Sequence, residues 1–139
     1  SFLVRAVKDP KGANLDRVQI VKGYVGADGK AREKVYDVVW SGDRAQGANG
    51  KLPPVGDTVD RAKASFRNTI GAPELSAVWR DLDFDPAQRA FYYVRVLQIP
   101  TPRNSTYDAA ALGAPPPEGY AAAIQERAYT SPIWYAPQR

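Results

Sequence analysis

The sequence predicts an all-β fold, an immunoglobulin-like antiparallel β-sandwich of about seven strands with one long Pro-rich loop. Three observations carry this. Apolar and polar residues alternate at period two wherever a period is visible, the alternating runs are short, and Gly, Pro, Asn and Asp gather between them. A chain of 139 residues suits a single domain with one core.

The first strand spans Phe2 to Val7 and stops at Asp9-Pro10-Lys11-Gly12, where proline and glycine break the ladder. A second follows from Arg17 to Val25, with Val18, Ile20 and Tyr24 on one face. Asp28-Gly29 supplies the tight turn of a hairpin, because glycine reaches positive φ at little cost. The returning strand, Ala31–Trp40, has Tyr36, Val38 and Trp40 on one side and Val35 and Val39 on the other, which predicts burial on both faces near the sheet centre. Ser41 to Thr58 reads as loop. A short strand around Ala64–Asn68 comes next, and then Glu74–Arg80, where Leu75, Ala77 and Trp79 alternate inward but a turn and a half of helix fits as well. Ala90–Ile99 has the strongest pattern, with Tyr92, Val94 and Val96 on one face; Tyr92 or Tyr93 fits the corner tyrosine of a late sandwich strand. Pro100 to Glu118, with Pro115-Pro116-Pro117, cannot pair regularly and makes a surface excursion holding a short helix over Tyr107–Leu112. Ser131–Tyr135 closes the set as an apolar strand.

Composition excludes several chemistries. There is no His and no Cys, so Ser-His-Asp and Cys-His catalysis, thiolate metal sites and disulfides are all impossible within the chain. No phosphate loop and no dinucleotide fingerprint occurs. The net charge of +4 is scattered. Lys30, Arg32 and Lys34 share a strand face and Arg61, Lys63 and Arg67 form a looser group, which is the pattern of solvated surface and not of a nucleic-acid interface. No apolar run is long enough to span a membrane, and the opening residues lack the layout of a signal peptide. With no Met anywhere and a strand starting at Phe2, the expectation is a C-terminal piece of a larger protein.

Few constellations remain. Asp81-Leu82-Asp83-Phe84-Asp85 opens like a calcium loop, but Pro86 and Tyr92 stand where the loop requires Gly and Glu, so a polar turn is the better reading. Asp108, Glu118 and Glu126 lie in or beside the irregular region where acid–base pairs are often placed, yet their spacing does not bring them together. Arg103 and Arg127 flank the same excursion and suit bidentate anion binding, although Arg127 can equally pair with a neighbouring carboxylate. The Asn104-Ser105-Thr106 sequon is taken as chance. No catalytic residue, metal ligand or cofactor is expected.

Several segments together resemble a known family. Ala13-Asn14-Leu15-Asp16-Arg17-Val18-Gln19, Glu33-Lys34-Val35-Tyr36-Asp37-Val38, Phe91-Tyr92-Tyr93-Val94-Arg95-Val96, Ile99-Pro100-Thr101-Pro102-Arg103 and Gln125 through Tyr135 are similar to the C-terminal end of the bacterial DUF3604 family. Its members are longer, and their N-terminal parts look related to the polymerase-and-histidinol-phosphatase metal hydrolases, which bind metals through His and Asp. The resemblance implies a non-catalytic tail module that packs on, or helps cap, the catalytic domain of the same polypeptide, with the metal site elsewhere. It also implies a parent that is periplasmic or otherwise exported. Ser41–Thr58 and Pro100–Glu118 are the expected docking loops, and Arg103, Tyr107, Glu126 and Arg127 the expected contacts to that domain or its substrate. An aromatic often follows the Pro-x-Pro-Arg segment in the family; Asn104 stands here, so a substrate-lining role is not carried over at that position. Self-association through the apolar surface left by the missing neighbour is a further expectation. The rival reading is a free-standing module for carbohydrate or another ligand, which would stack it on exposed Trp40, Trp79 or Trp134.

Overall fold

A computed structural model of the chain describes residues 1–137. Its strands are β1 (Phe2–Val7), β2 (Leu15–Val25), β3 (Ala31–Trp40), β4 (Glu74–Trp79), β5 (Ala90–Gln98), β6 (Thr101–Pro102), β7 (Ala123–Ile124), β8 (Arg127–Tyr129) and β9 (Ile133–Tyr135), with a helix α1 at Asn104–Leu112. A five-stranded sheet runs β3-β2-β5-β8, with β9 also paired to β5, and a two-stranded layer is made by β1 and β4. Every pairing is antiparallel. The predicted all-β antiparallel sandwich is therefore what the chain forms.

The layers meet over a core of Val4, Leu15, Val18, Ile20, Leu75, Ala90 and Tyr92. Phe2 from β1 sits 4.9 Å from the Tyr92 ring, and Trp79 from β4 sits 4.8 Å from Tyr36. Two irregularities on β2 tune this packing. The pairing with β3 shifts between Val18 and Gln19, and the pairing with β5 shifts between Leu15 and Arg17. The second shift leaves Asp16 unopposed, as a bulge residue is.

Position in the sheet differs from expectation. β2, not β3, is the central strand, and it is buried on both faces while the first half of β3 is exposed. The outer face of β2 has no second layer over it among the described residues; aromatic side chains from its neighbours cover it instead. Phe91 lies over Gly23, where an added Cβ would stand 2.2 Å from the ring. Tyr93 stacks on Phe91 at 6.4 Å, and Val21 opposite Tyr93 is fully buried. β3 lies at the margin of the sheet, and Arg32 and Lys34 on its exposed half suit a solvated edge.

The expected strand at Ala64–Asn68 does not form. Ala64 takes a left-handed φ of 44°, and side chains satisfy the local backbone: Asp60 accepts from the Ala62 and Lys63 N–H groups, and Thr58 exchanges hydrogen bonds with Arg67. Asn68 in turn closes on the β1–β2 connection, accepting from Asn14 N–H at 2.8 Å. The helix starts three residues earlier than predicted and ends at Gly113, whose φ of 61° makes the left-handed cap. β6, β7 and β8 depart from expectation: Thr101–Pro102 pairs briefly with Ala123–Ile124 at the start of a stretch read as unable to pair, and β8 and β9 share the far side of β5.

The long segment after β3 is held down by one carboxylate. Asp16 is fully buried and accepts from Arg44 Nη2 at 2.7 Å, Arg17 Nε at 3.0 Å and Gln125 Nε2 at 2.9 Å. Arg44 also reaches the Ser41 and Pro53 carbonyls. The first part of the Ser41–Thr58 loop thus faces its own sheet.

Gly71 marks the tightest point of the connection to β4. Its φ is +78°, and an added Cβ would lie 2.6 Å from Ile99 Cγ2 and 2.7 Å from Asn14 Cβ. Gly71→Ala combines left-handed strain with overpacking, and we expect a loss of about 2–4 kcal/mol. Urea denaturation checks this; a loss below about 0.5 kcal/mol would mean that the connection relaxes freely.

Candidate functional site

The expected contact residues are only partly gathered. Arg103 stands at the N-cap position of α1 without a side-chain capping bond, and its Nε donates to the Ala121 carbonyl at 3.1 Å. With Glu126 and Tyr120 it lines a shallow depression of about 360 Å³. Glu126 also lines a second cavity, of about 460 Å³, together with Arg127, Arg5 and Lys8. Arg103 and Arg127 therefore border different hollows, so they do not form one anion clamp. Tyr107 is exposed on α1 and lines neither hollow. Asp108 and Glu118 join Glu126 in neither, so no acid–base pair is built there.

Tryptophan placement bears on the stacking platform. Trp40 is half-buried and donates from Nε1 to the Arg44 carbonyl at 2.6 Å, and Trp79 packs against the core. Trp134, by contrast, is 74 % exposed. It leans on Phe91 at 5.1 Å with the rings tilted by 48°. Paired, coplanar exposed tryptophans are not present among the described residues.

The Asp81–Asp85 turn does more than connect strands. Asp81 points inward and accepts from Lys22 Nζ at 2.6 Å and from the Tyr92 hydroxyl at 2.8 Å, while the Asp83 N–H donates to its other oxygen at 2.9 Å. Both members of the ion pair are nearly fully buried. Lys22 adds a bond to the Asp83 carbonyl and lies over the Tyr24 and Tyr92 rings. At the exposed rim, Lys34 and Tyr36 both donate to the Asp83 carboxylate. Tyr92, one of the two tyrosines expected to anchor a sandwich corner, instead directs its hydroxyl to this carboxylate and not to the backbone. One sequence signal could have exposed the pair: Lys22 interrupts the core-facing series Ile20, Lys22, Tyr24, and a lysine on such a face requires a buried acid.

Electrostatics make this cluster a clamp. Burial pushes the Asp81 carboxyl up, but Lys22, Tyr92 and the Asp83 N–H together outweigh it and hold Asp81 below its ordinary value. Burial and the bond to Asp81 push the Tyr92 hydroxyl well above its ordinary value, and burial and Asp83 do the same to Tyr36. Asp81 stays ionised and the tyrosines stay protonated at neutral pH, so the shifts move all three away from the working pH near which an efficient general base or acid is poised.

Beside the clamp lies a cavity of about 530 Å³ between the open side of β1 and β9. Phe2, Tyr92, Phe84, Ile133, Trp134 and Tyr135 make most of its wall. Tyr135 is fixed by its hydroxyl, which donates to the Pro86 carbonyl at 2.9 Å, and by edge contact with Phe84 at 4.9 Å. Arg80 and Leu82 stand at its mouth. Among the described residues no group of three or more acidic side chains gathers as metal ligands would, and no helix is long and apolar enough to cross a membrane.

Two outcomes follow for the clamp. Asp81→Asn strands a buried ammonium and should cost about 3–5 kcal/mol, as should Lys22→Met in the opposite sense. The double variant should cost less than the sum by about 2 kcal/mol or more; simple additivity in urea denaturation would refute the coupling. Because the folded Asp81 value is depressed, its stabilisation is complete above the ordinary carboxylate value near pH 4 and is lost as pH falls below it. Acid unfolding of Asp81→Asn should accordingly be shallower over that window than that of the parent sequence.

No curated protein and no solved structure matches the chain significantly. The family described as "Protein of unknown function (DUF3604)" matches residues 1–137. That match spans the whole described chain, and the chain belongs to this family.

Proposed function

We propose that this chain is a non-catalytic β-sandwich module that packs against the catalytic domain of a metal-dependent hydrolase and helps to cap it. The observation that carries the reading is where apolar surface has been left open. Leu82 is 90 % exposed, Trp134 74 % and Ile133 59 %, and all three border the 530 Å³ cavity. Isolated exposed apolar residues are ordinary, but large ones gathered around one concave site mark a surface that something else covers.

The polar inventory supports the same conclusion. The buried carboxylates Asp16 and Asp81 are each fully engaged by cations and hydrogen-bond donors from the chain itself. Such groups specify the module's shape and leave little for substrate chemistry. The hydrolase character of the partner rests on the family likeness noted above.

Hydroxyl-radical footprinting of the whole polypeptide tests the reading. With each rate normalised to the intrinsic reactivity of its side chain, Leu82 and Trp134 should be oxidised several-fold more slowly than Leu112, which is comparably exposed at 80 % on α1 and lies away from the cavity. Equal normalised rates at the three positions would sink the docking surface. Deleting the module should also lower metal-loaded activity on phosphate or sulfate esters at least tenfold; undiminished activity would remove the capping role.

A further inference from the structure

The layer made by β1 and β4 is narrower than the sheet it faces. β4 lies against β3 and β2, and β1 reaches β5 through Phe2 and Tyr92. Under β8 and β9 no strand is present among the described residues, and Ala128 and Ile133, which share the core-facing register of Val96 and Tyr92, are exposed. The uncovered strip runs along the edge of β1 that does not pair with β4.

That edge offers a regular set of hydrogen-bonding groups. Lys8 N–H donates to the Pro73 carbonyl at 3.0 Å, and in an antiparallel pair such bonds recur at every second residue. Phe2, Val4 and Ala6 therefore bond toward β4, and the N–H and C=O groups of Leu3, Arg5 and Val7 point to the open side. Two cavities flank this edge, the 530 Å³ one beside Phe2 and β9 and the 460 Å³ one beside Ala6 and β8. Phe2 and Ala6 lie on the same face of β1, about 13 Å apart at the usual rise per residue. An extended segment laid along β1 would place side chains four residues apart into the two cavities.

We propose that an extended strand from the catalytic partner adds to the free edge of β1, completing the narrow layer beneath β8 and β9. The inference rests on the docking reading above and names its mode. The segment would carry an apolar side chain at its first and fifth positions and carboxylates at its flanks. Arg80 borders one cavity and Arg127 the other, and neither forms an ion pair among the described residues. Main-chain bonds supply affinity in such strand addition, and the pockets for alternate side chains supply specificity. A second copy of this chain does not fit. It would bring its own β5 above its β1, into the space that β8 and β9 already occupy.

Hydrogen exchange resolved to single amides, measured on the whole polypeptide, tests the proposal. The Leu3, Arg5 and Val7 amides should exchange within about tenfold of Val4 and Ala6. Exchange of those three at rates a hundredfold faster would overturn it. If they are fast while Leu82 and Trp134 remain shielded from radicals, docking occurs without strand addition; if all are open, both readings fall. Arg5→Pro removes one edge donor, and Arg5→Ala keeps that donor while losing the same side chain. We expect Arg5→Pro, and not Arg5→Ala, to release the module; equal behaviour of two folded variants would overturn the proposal. Should Arg5→Pro fail to fold, the exchange rates of the unaltered protein still decide.

Discussion

A single carboxylate without access to water organises much of this molecule. Asp16 sits in a bulge of the central strand and gathers Arg17, Arg44 and Gln125, which come from the strand itself, the long loop and the segment that leads into β8. A buried anion is costly unless donors surround it, and here the donors belong to chain segments far apart in sequence. Their positions are therefore coupled: the loop cannot lift without uncovering a charge. Gln125 extends the network to the Gln98 carbonyl at 2.9 Å, which ties the end of β5 to the same point.

The Lys22–Asp81 pair fixes a second point, between the central strand and the turn that follows β4. The two carboxylates explain why the sandwich holds together with so narrow an upper layer. Apolar burial alone would leave the loop after β3 and the Asp81–Asp85 turn attached by few contacts. Fully satisfied ionic clusters give each of them one geometry. The acids that are most buried are also those most completely occupied.

Much of this was legible in the sequence, for identifiable reasons. β1, β2, β3 and β5 have long alternating patterns, and the Asp28-Gly29 turn joins β2 to β3 as its residues demand, with Gly29 at φ 76°. What could not be read is non-local. The pairing of β1 with β4 joins segments separated by the whole first hairpin, and β8 is three residues long, too short for any period. The central place of β2 depends on Gly23 admitting the Phe91 ring, a fact about two distant strands. Of the expected contacts, Arg103, Glu126 and Arg127 border hollows and Tyr107 does not, while the clamp is hidden because Asp81 reads as a turn residue until its partner on β2 is considered. The cavity beside β9 depends on which layer is narrow, and no local pattern encodes that.

The burial of β2 on both faces has a consequence during synthesis. Val21 finds Tyr93 only after about seventy further residues have been made, so the pairing closes a large loop. Until then the β2–β3 hairpin is on its own, and an isolated hairpin is marginally stable in water. Gly23 lacks its aromatic cover for the same interval. A nascent chain paused between β3 and β5 thus displays an apolar ribbon with an open edge, the kind of intermediate that chaperones bind and that aggregates when they are scarce.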